Sequence, residues 1–159
     1  MRTVGILMLF GLCTAIGLRL AAQKTARIRR VRSMRRELLT FSDAFAQGET
    51  ALGAIAARGE GLFFERLRAY VAAQAEGRTE EEAARAACEP FAEDGTHAAL
   101  LLFFGGLSVC SRAEIRARIG RLSEALAEAE RDAASDVKQA KLIRAVGVLT
   151  GAALAVLLF

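Results

Sequence analysis

The stretch from Ser111 to Phe159 constrains this chain most, because it reads as one helix that begins in water and ends in a membrane. In its first part Ile115, Ile119, Leu122, Leu126, Ala129, Ala133, Val137 and Ala140 recur at steps of three and four, the spacing of a single helical stripe. Such a stripe needs a partner. From Leu142 the polar side disappears. The run to Phe159 has no charge except Arg144, and neither proline nor a turn cluster interrupts the path. At ~1.5 Å per residue the element is roughly 70 Å long, about twice the ~30 Å hydrocarbon core of a bilayer, so part of it must stand outside the lipid.

The partner lies near the other end. Lys24 to Gln47 continues helically without a breaker, and Ile28, Val31, Met34, Leu38, Phe41 and Phe45 share one stripe. Before it, Thr3 to Leu18 is apolar throughout, with Arg19 placed to snorkel. This segment reads as an uncleaved anchor, because the eight basic residues from Arg19 to Arg36 resist translocation. The competing reading is a cleaved signal peptide, giving a secreted or envelope-facing helical binding module. If the first helix leaves the membrane and the last returns to it, the two run antiparallel and pack along much of their length.

Charge supports the same division. All 18 acidic residues lie between Glu37 and Asp136, where only 10 basic residues accompany them, a net charge of −8. The remaining cations gather beside the apolar ends, with Arg27, Arg29 and Arg30 on one side and Lys138, Lys141 and Arg144 on the other. Cations beside hydrophobic spans point to phospholipid head groups and to a cytoplasmic body rather than to nucleic acid. Both termini are then expected outside the cytoplasm.

Between the long helices the chain is broken into short ones. Gly48 ends the first, Thr50 to Ala57 forms a second, and Gly59 and Gly61 break again. Leu62 to Ala75 is a third, with Leu62, Phe63, Leu67, Tyr70 and Val71 as core candidates. Thr79 caps a fourth, with Glu82 completing a capping box, and Pro90 closes it. The run Leu100 to Phe104, within His97 to Leu107, is too short to span a bilayer and reads as a buried central helix. Ser111 and Glu114 form a second capping box ahead of the last helix. One proline, no tryptophan and one tyrosine in a chain rich in alanine and leucine favour helices over strands.

No constellation supports catalysis. His97 has no positioned nucleophile, Gly106, Ser108 and Cys110 mimic only part of a nucleophile elbow, and Cys88, His97 and Cys110 lack close metal-ligand spacing. There is no phosphate-binding loop, and no cofactor is implied. Three scattered cysteines read as free thiols. The one short motif with mechanical content is Gly147 and Gly151, a small pair that permits close approach of membrane helices, with Gly11 and Ala15 as a similar face on the first span.

The order of Gly48-Glu49-Thr50-Ala51-Leu52, Glu76-Gly77-Arg78-Thr79 leading into Ala83, Leu107, and the tail Lys141 through Gly147, Leu149, Gly151 and Leu154 resembles the stage III sporulation protein AB family over essentially the whole chain. Departures occur at Ala51, where proline is usual, at Ala84, where tryptophan is usual, and at Ser108 and Ser111, where glycine and aspartate are typical. The resemblance implies a membrane component of the channel complex between mother cell and forespore, among other channel-complex membrane proteins. Its body is expected to be similar to the cytoplasmic domains of type II secretion and type IV pilus platform proteins. The implied partner is a cytoplasmic hexameric secretion-type ATPase, the AA protein of the same system.

The expectation is therefore an all-α bundle of about six helices, with two long antiparallel helices continuing into membrane segments. Residues 1–23 form the first span, 24–140 the cytoplasmic body and 141–159 the second span. The acidic cap of Glu76, Glu80, Glu81, Glu82, Glu89, Glu93 and Asp94 lies around the far ends of the long helices, away from lipid. An ATPase would dock on the Thr79 to Cys88 helix, steered by Glu80, Glu81, Glu82 and Glu89.

Overall fold

The two long stripes and the short segments between them all wind into helix. The computed structural model of the chain describes residues 2–91 and 95–158, with side chains at residues 11, 15, 18, 19, 22–91, 95–139, 141, 142 and 145. Among these residues the order is α1 (Arg2–Ala46), α2 (Leu52–Arg58), α3 (Leu62–Ala75), α4 (Glu80–Cys88), a 3₁₀ turn (Glu89–Phe91), α5 (His97–Phe104) and α6 (Arg112–Leu158), with no strand. The chain divides into two compact units, one spanning Arg30–Glu130 and the other combining Met1–Arg29 with Arg131–Phe159.

In the Arg30–Glu130 unit the expected stripes form the core. Val31, Met34, Leu38, Phe41 and Phe45 of α1 and Ile115, Ile119, Leu122 and Leu126 of α6 are all buried. Arg112 donates from Nη2 to the Phe45 carbonyl at 3.1 Å. Arg32 and Arg35 donate to the two oxygens of Glu130 at 2.9 and 3.1 Å. As numbers fall along α1 they rise along α6, so the two helices are antiparallel within this unit.

Aromatic rings fill the space between them and the short helices. Phe63 meets Phe41 and Phe103 with centroids 5.6 and 5.7 Å apart, and Phe64 packs edge-on to Phe63 at 5.5 Å. Tyr70 and Phe104 close the cluster at 5.5 Å. Such tilted and edge-to-face contacts suit the ring quadrupoles. Phe64, which was not among the expected core residues of α3, is as buried as its neighbours, whereas Leu62 and Val71 are only half-buried. Gly59 explains Phe64, since a side chain there would meet the Phe64 ring at 2.1 Å.

Charged side chains close several helix ends, which matters because each end leaves backbone groups without intrahelical partners. Thr79 with Glu82 and Ser111 with Glu114 form the two expected capping boxes. Three carboxyl ends, those of α1, α2 and α5, are closed by arginines from other helices: Arg112 on α1, Arg68 on the Ala56 and Gly59 carbonyls at 2.8 Å, and Arg118 on the Leu102 carbonyl at 2.8 Å and the Gly105 carbonyl. Positive charge at a helix carboxyl end also complements the macrodipole.

Two boundaries and one helix face differ from expectation. Helix α2 begins at Leu52 rather than Thr50, because Ala51 is extended (φ −75°, ψ 96°). The 3₁₀ turn carries the chain through Pro90 to Phe91 instead of stopping there. In α5 the apolar run does not face inward as a block: Leu100, Phe103 and Phe104 are buried, but Leu102 is 73% exposed, since eight residues of one helix cannot all point to one side.

In the unit formed by Met1–Arg29 and Arg131–Phe159, Lys24 and Arg27 approach Asp136 at 3.7 and 3.9 Å, and Ala133 is buried. Among the described residues no helix is long and apolar enough to cross a membrane. The expected spans, 1–23 and 141–159, rest mainly on side chains outside the described residues, as do the expected roles of Gly147, Gly151 and Arg144. Gly11 and Ala15 are exposed, and a Cβ at Gly11 would have no described neighbour within 4 Å.

Candidate partner-binding surface

Helix α4 starts with three consecutive glutamates, a favourable arrangement at the positive end of a helix dipole. Geometry gives each a different task. Glu82 accepts the Thr79 N–H at 3.0 Å, while its own N–H donates to the Thr79 hydroxyl at 3.3 Å. That reciprocal pair holds the carboxyl of Glu82 below the ordinary carboxylate range.

Glu80 turns inward. Its carboxylate accepts the Tyr70 hydroxyl and Gln74 Nε2, each at 2.5 Å, and the Ser108 hydroxyl. The Ser108 N–H also donates to the Tyr70 oxygen at 3.3 Å. Burial works against ionisation of Glu80, but the bonds from Ser108, Tyr70 and Gln74 outweigh it and leave its carboxyl below the usual range. Burial, followed by the bond to and charge of Glu80, pushes the Tyr70 hydroxyl well above its ordinary value. The network ties α3, α4 and the α5–α6 connection together.

Glu81 faces out and, among the described residues, pairs only with Arg85, at 2.6 Å one helical turn on. Glu76 is paired with Arg78 at 2.9 Å, Glu89 is exposed, and Glu93 and Asp94 lie outside the described residues. The expected set of Glu80, Glu81, Glu82 and Glu89 thus separates into two helix-holding carboxylates and two outward ones. The inward role of Glu80 has no local sequence signal, because Ser108 is 28 residues away.

Beside α4 lies an open groove of about 510 Å³ lined by Arg78, Glu82, Arg85, Ala86, Glu89 and His97. Two guanidiniums alternate with two carboxylates there, so the face is mixed rather than uniformly acidic. His97 Nδ1 is buried at its edge without a hydrogen-bond partner. Among the described residues no three His, Cys, Asp or Glu side chains come together in a way that could hold a metal ion. Cys88 is free and buried, and burial pushes its thiol up to about 12, so it is protonated and unreactive near neutrality.

The basic flanks also divide. Arg27 is engaged by Asp136, and Arg30 has partners within the structure. Arg29, Lys138 and Lys141 are exposed. Two features of the surface therefore stand out: an outward carboxylate pair on α4, and exposed cations next to the terminal apolar runs.

A protein-family model described as Stage III sporulation protein AB matches residues 2–159 of the chain. No curated protein and no solved structure matches it.

Proposed function

Because the chain belongs to the stage III sporulation protein AB family, we propose that it acts as a non-enzymatic membrane platform in the channel complex between mother cell and forespore. In this reading the apolar runs 3–18 and 145–159 anchor the chain in the membrane, and the Arg30–Glu130 unit stands in the cytoplasm as a docking body. The observation that carries it is charge segregation. Arg29, Lys138 and Lys141 are exposed beside the apolar runs, while every carboxylate lies between Glu37 and Asp136. Anionic head groups attract the first set and repel the second.

The partner proposed for the body is a cytoplasmic hexameric secretion-type ATPase. The support for it is the outward pair Glu81 and Glu89, which can steer a basic surface toward α4 while Glu80 and Glu82 hold the helix in place. Membrane fractionation of sporulating cells, followed by intact-mass measurement, tests the anchor. A carbonate-resistant membrane protein that begins at Met1 supports it. A soluble protein beginning near Gln23 supports a secreted binding module and sinks the platform reading.

A further inference from the structure

Along the outer face of α4 the charges alternate in sign, and their spacing is symmetric. Arg78, Glu82, Arg85 and Glu89 follow one another at intervals of four, three and four residues, the spacing of one helical face. All four line the open groove of about 510 Å³ beside that helix. Taken from the opposite end, the intervals are the same and the signs are exchanged. A second copy of this face laid antiparallel on the first therefore sets Arg78 against Glu89 and Glu82 against Arg85, each pair occurring twice. The two-fold axis passes between Glu82 and Arg85, as a self-complementary contact requires. We propose that this face joins two copies of the chain through a two-fold interface.

The side chains keep capacity for these pairs. Glu89 is exposed and makes no ion pair among the described residues. Glu82 accepts from Thr79 through Oε2, which leaves Oε1 for a second donor. Arg78 and Arg85 reach Glu76 and Glu81 through Nη2, and a guanidinium has further donors for a neighbour. Ala86, on the same face, is small enough to let two such helices approach closely. In this register Glu81 of one copy falls opposite Ala86 of the other, so the acid beside the face does not meet acid.

Other occupants leave half of the face opposed. A uniformly basic surface meets Arg78 and Arg85, while a uniformly acidic one, or an anionic bilayer, meets Glu82 and Glu89. An alternating partner is required, and the face itself is one. Exposed ion pairs are individually weak and screened by salt, so the association is reversible and loosens as salt is added. Because it covers Glu89, it excludes a basic partner at that residue. It involves this chain alone and stands whether or not an ATPase docks on α4.

The test is a charge exchange read by cross-linking, with the full chain in mild detergent at low salt. In a background lacking Cys13 and Cys110, Ala86→Cys is treated with a short bis-maleimide; Cys88 is buried and does not compete. Covalent dimers should form. Arg78→Glu or Glu89→Arg alone should slow their formation at least roughly tenfold, because either change sets like charges together at both ends of the interface. Mixing the two single variants should restore the rate, since the carboxylates of one then face the guanidiniums of the other. Combining both changes in one chain should restore it too. Recovery on mixing also shows that each variant is folded. Absence of cross-linked dimer, cross-linking that neither variant slows, or variants that stay slow when mixed overturns the proposal.

Discussion

The carboxylate of Glu37 accepts the backbone N–H of Phe63 at 2.6 Å, so that a side chain from α1 caps the first turn of α3. The same carboxylate takes the Ser33 hydroxyl at 2.5 Å and is itself buried. Gly61, at the N-cap position of α3, has no side chain with which to do this, and its φ of +105° disfavours any residue that would. One buried carboxyl group on α1 thereby fixes where the aromatic helix begins.

Replacing Glu37 with alanine should cost about 2 kcal/mol, because a buried N–H loses its partner. Gly61→Ala should cost more than a usual cap substitution, since its Cβ would meet Glu37 Oε1 at 2.3 Å as well as facing an unfavourable φ. Thermal melts of both single variants and the double variant should show that Gly61→Ala is milder once Glu37 is gone. Strictly additive losses would mean that the two residues do not constrain each other.

The Glu80 network makes stability depend on pH in a defined direction. The folded pKa of Glu80 is depressed, so its contribution is complete above the unfolded value of about 4.3 and is lost as pH falls through the folded value. Glu130, held down by its bonds to Arg32 and Arg35, behaves alike. Tyr70 and Cys88 are raised, so their contributions are present below their unfolded values of about 10 and 8.5 and are lost as pH climbs beyond them. Circular dichroism melts should show a plateau between roughly pH 5 and 8 with falls on both sides. Glu80→Gln should lower the plateau and flatten the acid limb; an acid limb parallel to that of the parent chain would remove Glu80 from the account.

What sequence could reveal here follows from how far each interaction reaches. The stripes of α1 and α6 and the capping boxes at Thr79 and Ser111 were legible because their partners lie three or four residues apart. The Glu37 cap reaches 26 residues, the Glu80 to Ser108 bond 28, and the Arg112 cap on Phe45 67. Nothing local marks those, so Glu80 reads as one of three equal surface carboxylates until the fold turns it inward. Leu102 escaped for another reason: in a helix with no polar side, periodicity does not say which leucine faces out. The anchoring of the termini rests on hydropathy and charge alone.

Ala51 occupies a backbone conformation that proline also adopts, at φ −75°, and it donates no backbone hydrogen bond among the described residues. Ala51→Pro should therefore raise stability by about 0.5 to 1 kcal/mol by restricting the unfolded chain. A lower melting temperature would show that Thr50 does not tolerate a following proline.

For the ATPase surface the informative variant is Glu81→Lys with Glu89→Lys, leaving Glu80 and Glu82 untouched. Helicity should stay as in the parent chain and melting temperature should fall only slightly, because Glu81 gives up its place in the first turn and its pair with Arg85 but neither outward carboxylate caps a helix or joins the Glu80 network. Association with the purified ATPase at low salt should slow several-fold, and added salt should erase the difference. Unchanged association kinetics would place the docking surface elsewhere on the body.

The central claim is that both ends of the chain cross the membrane and leave the helical body in the cytoplasm, and cysteine labelling in intact cells addresses it most directly. In a background lacking Cys13 and Cys110, single cysteines replace Ala57 and Glu124, both exposed on the body, and another is added after Phe159. A membrane-impermeant maleimide should label the added terminal cysteine in intact cells, and the Ala57 and Glu124 positions only after permeabilisation. Labelling of either body position in intact cells, or protection of the terminal one until permeabilisation, would contradict this account.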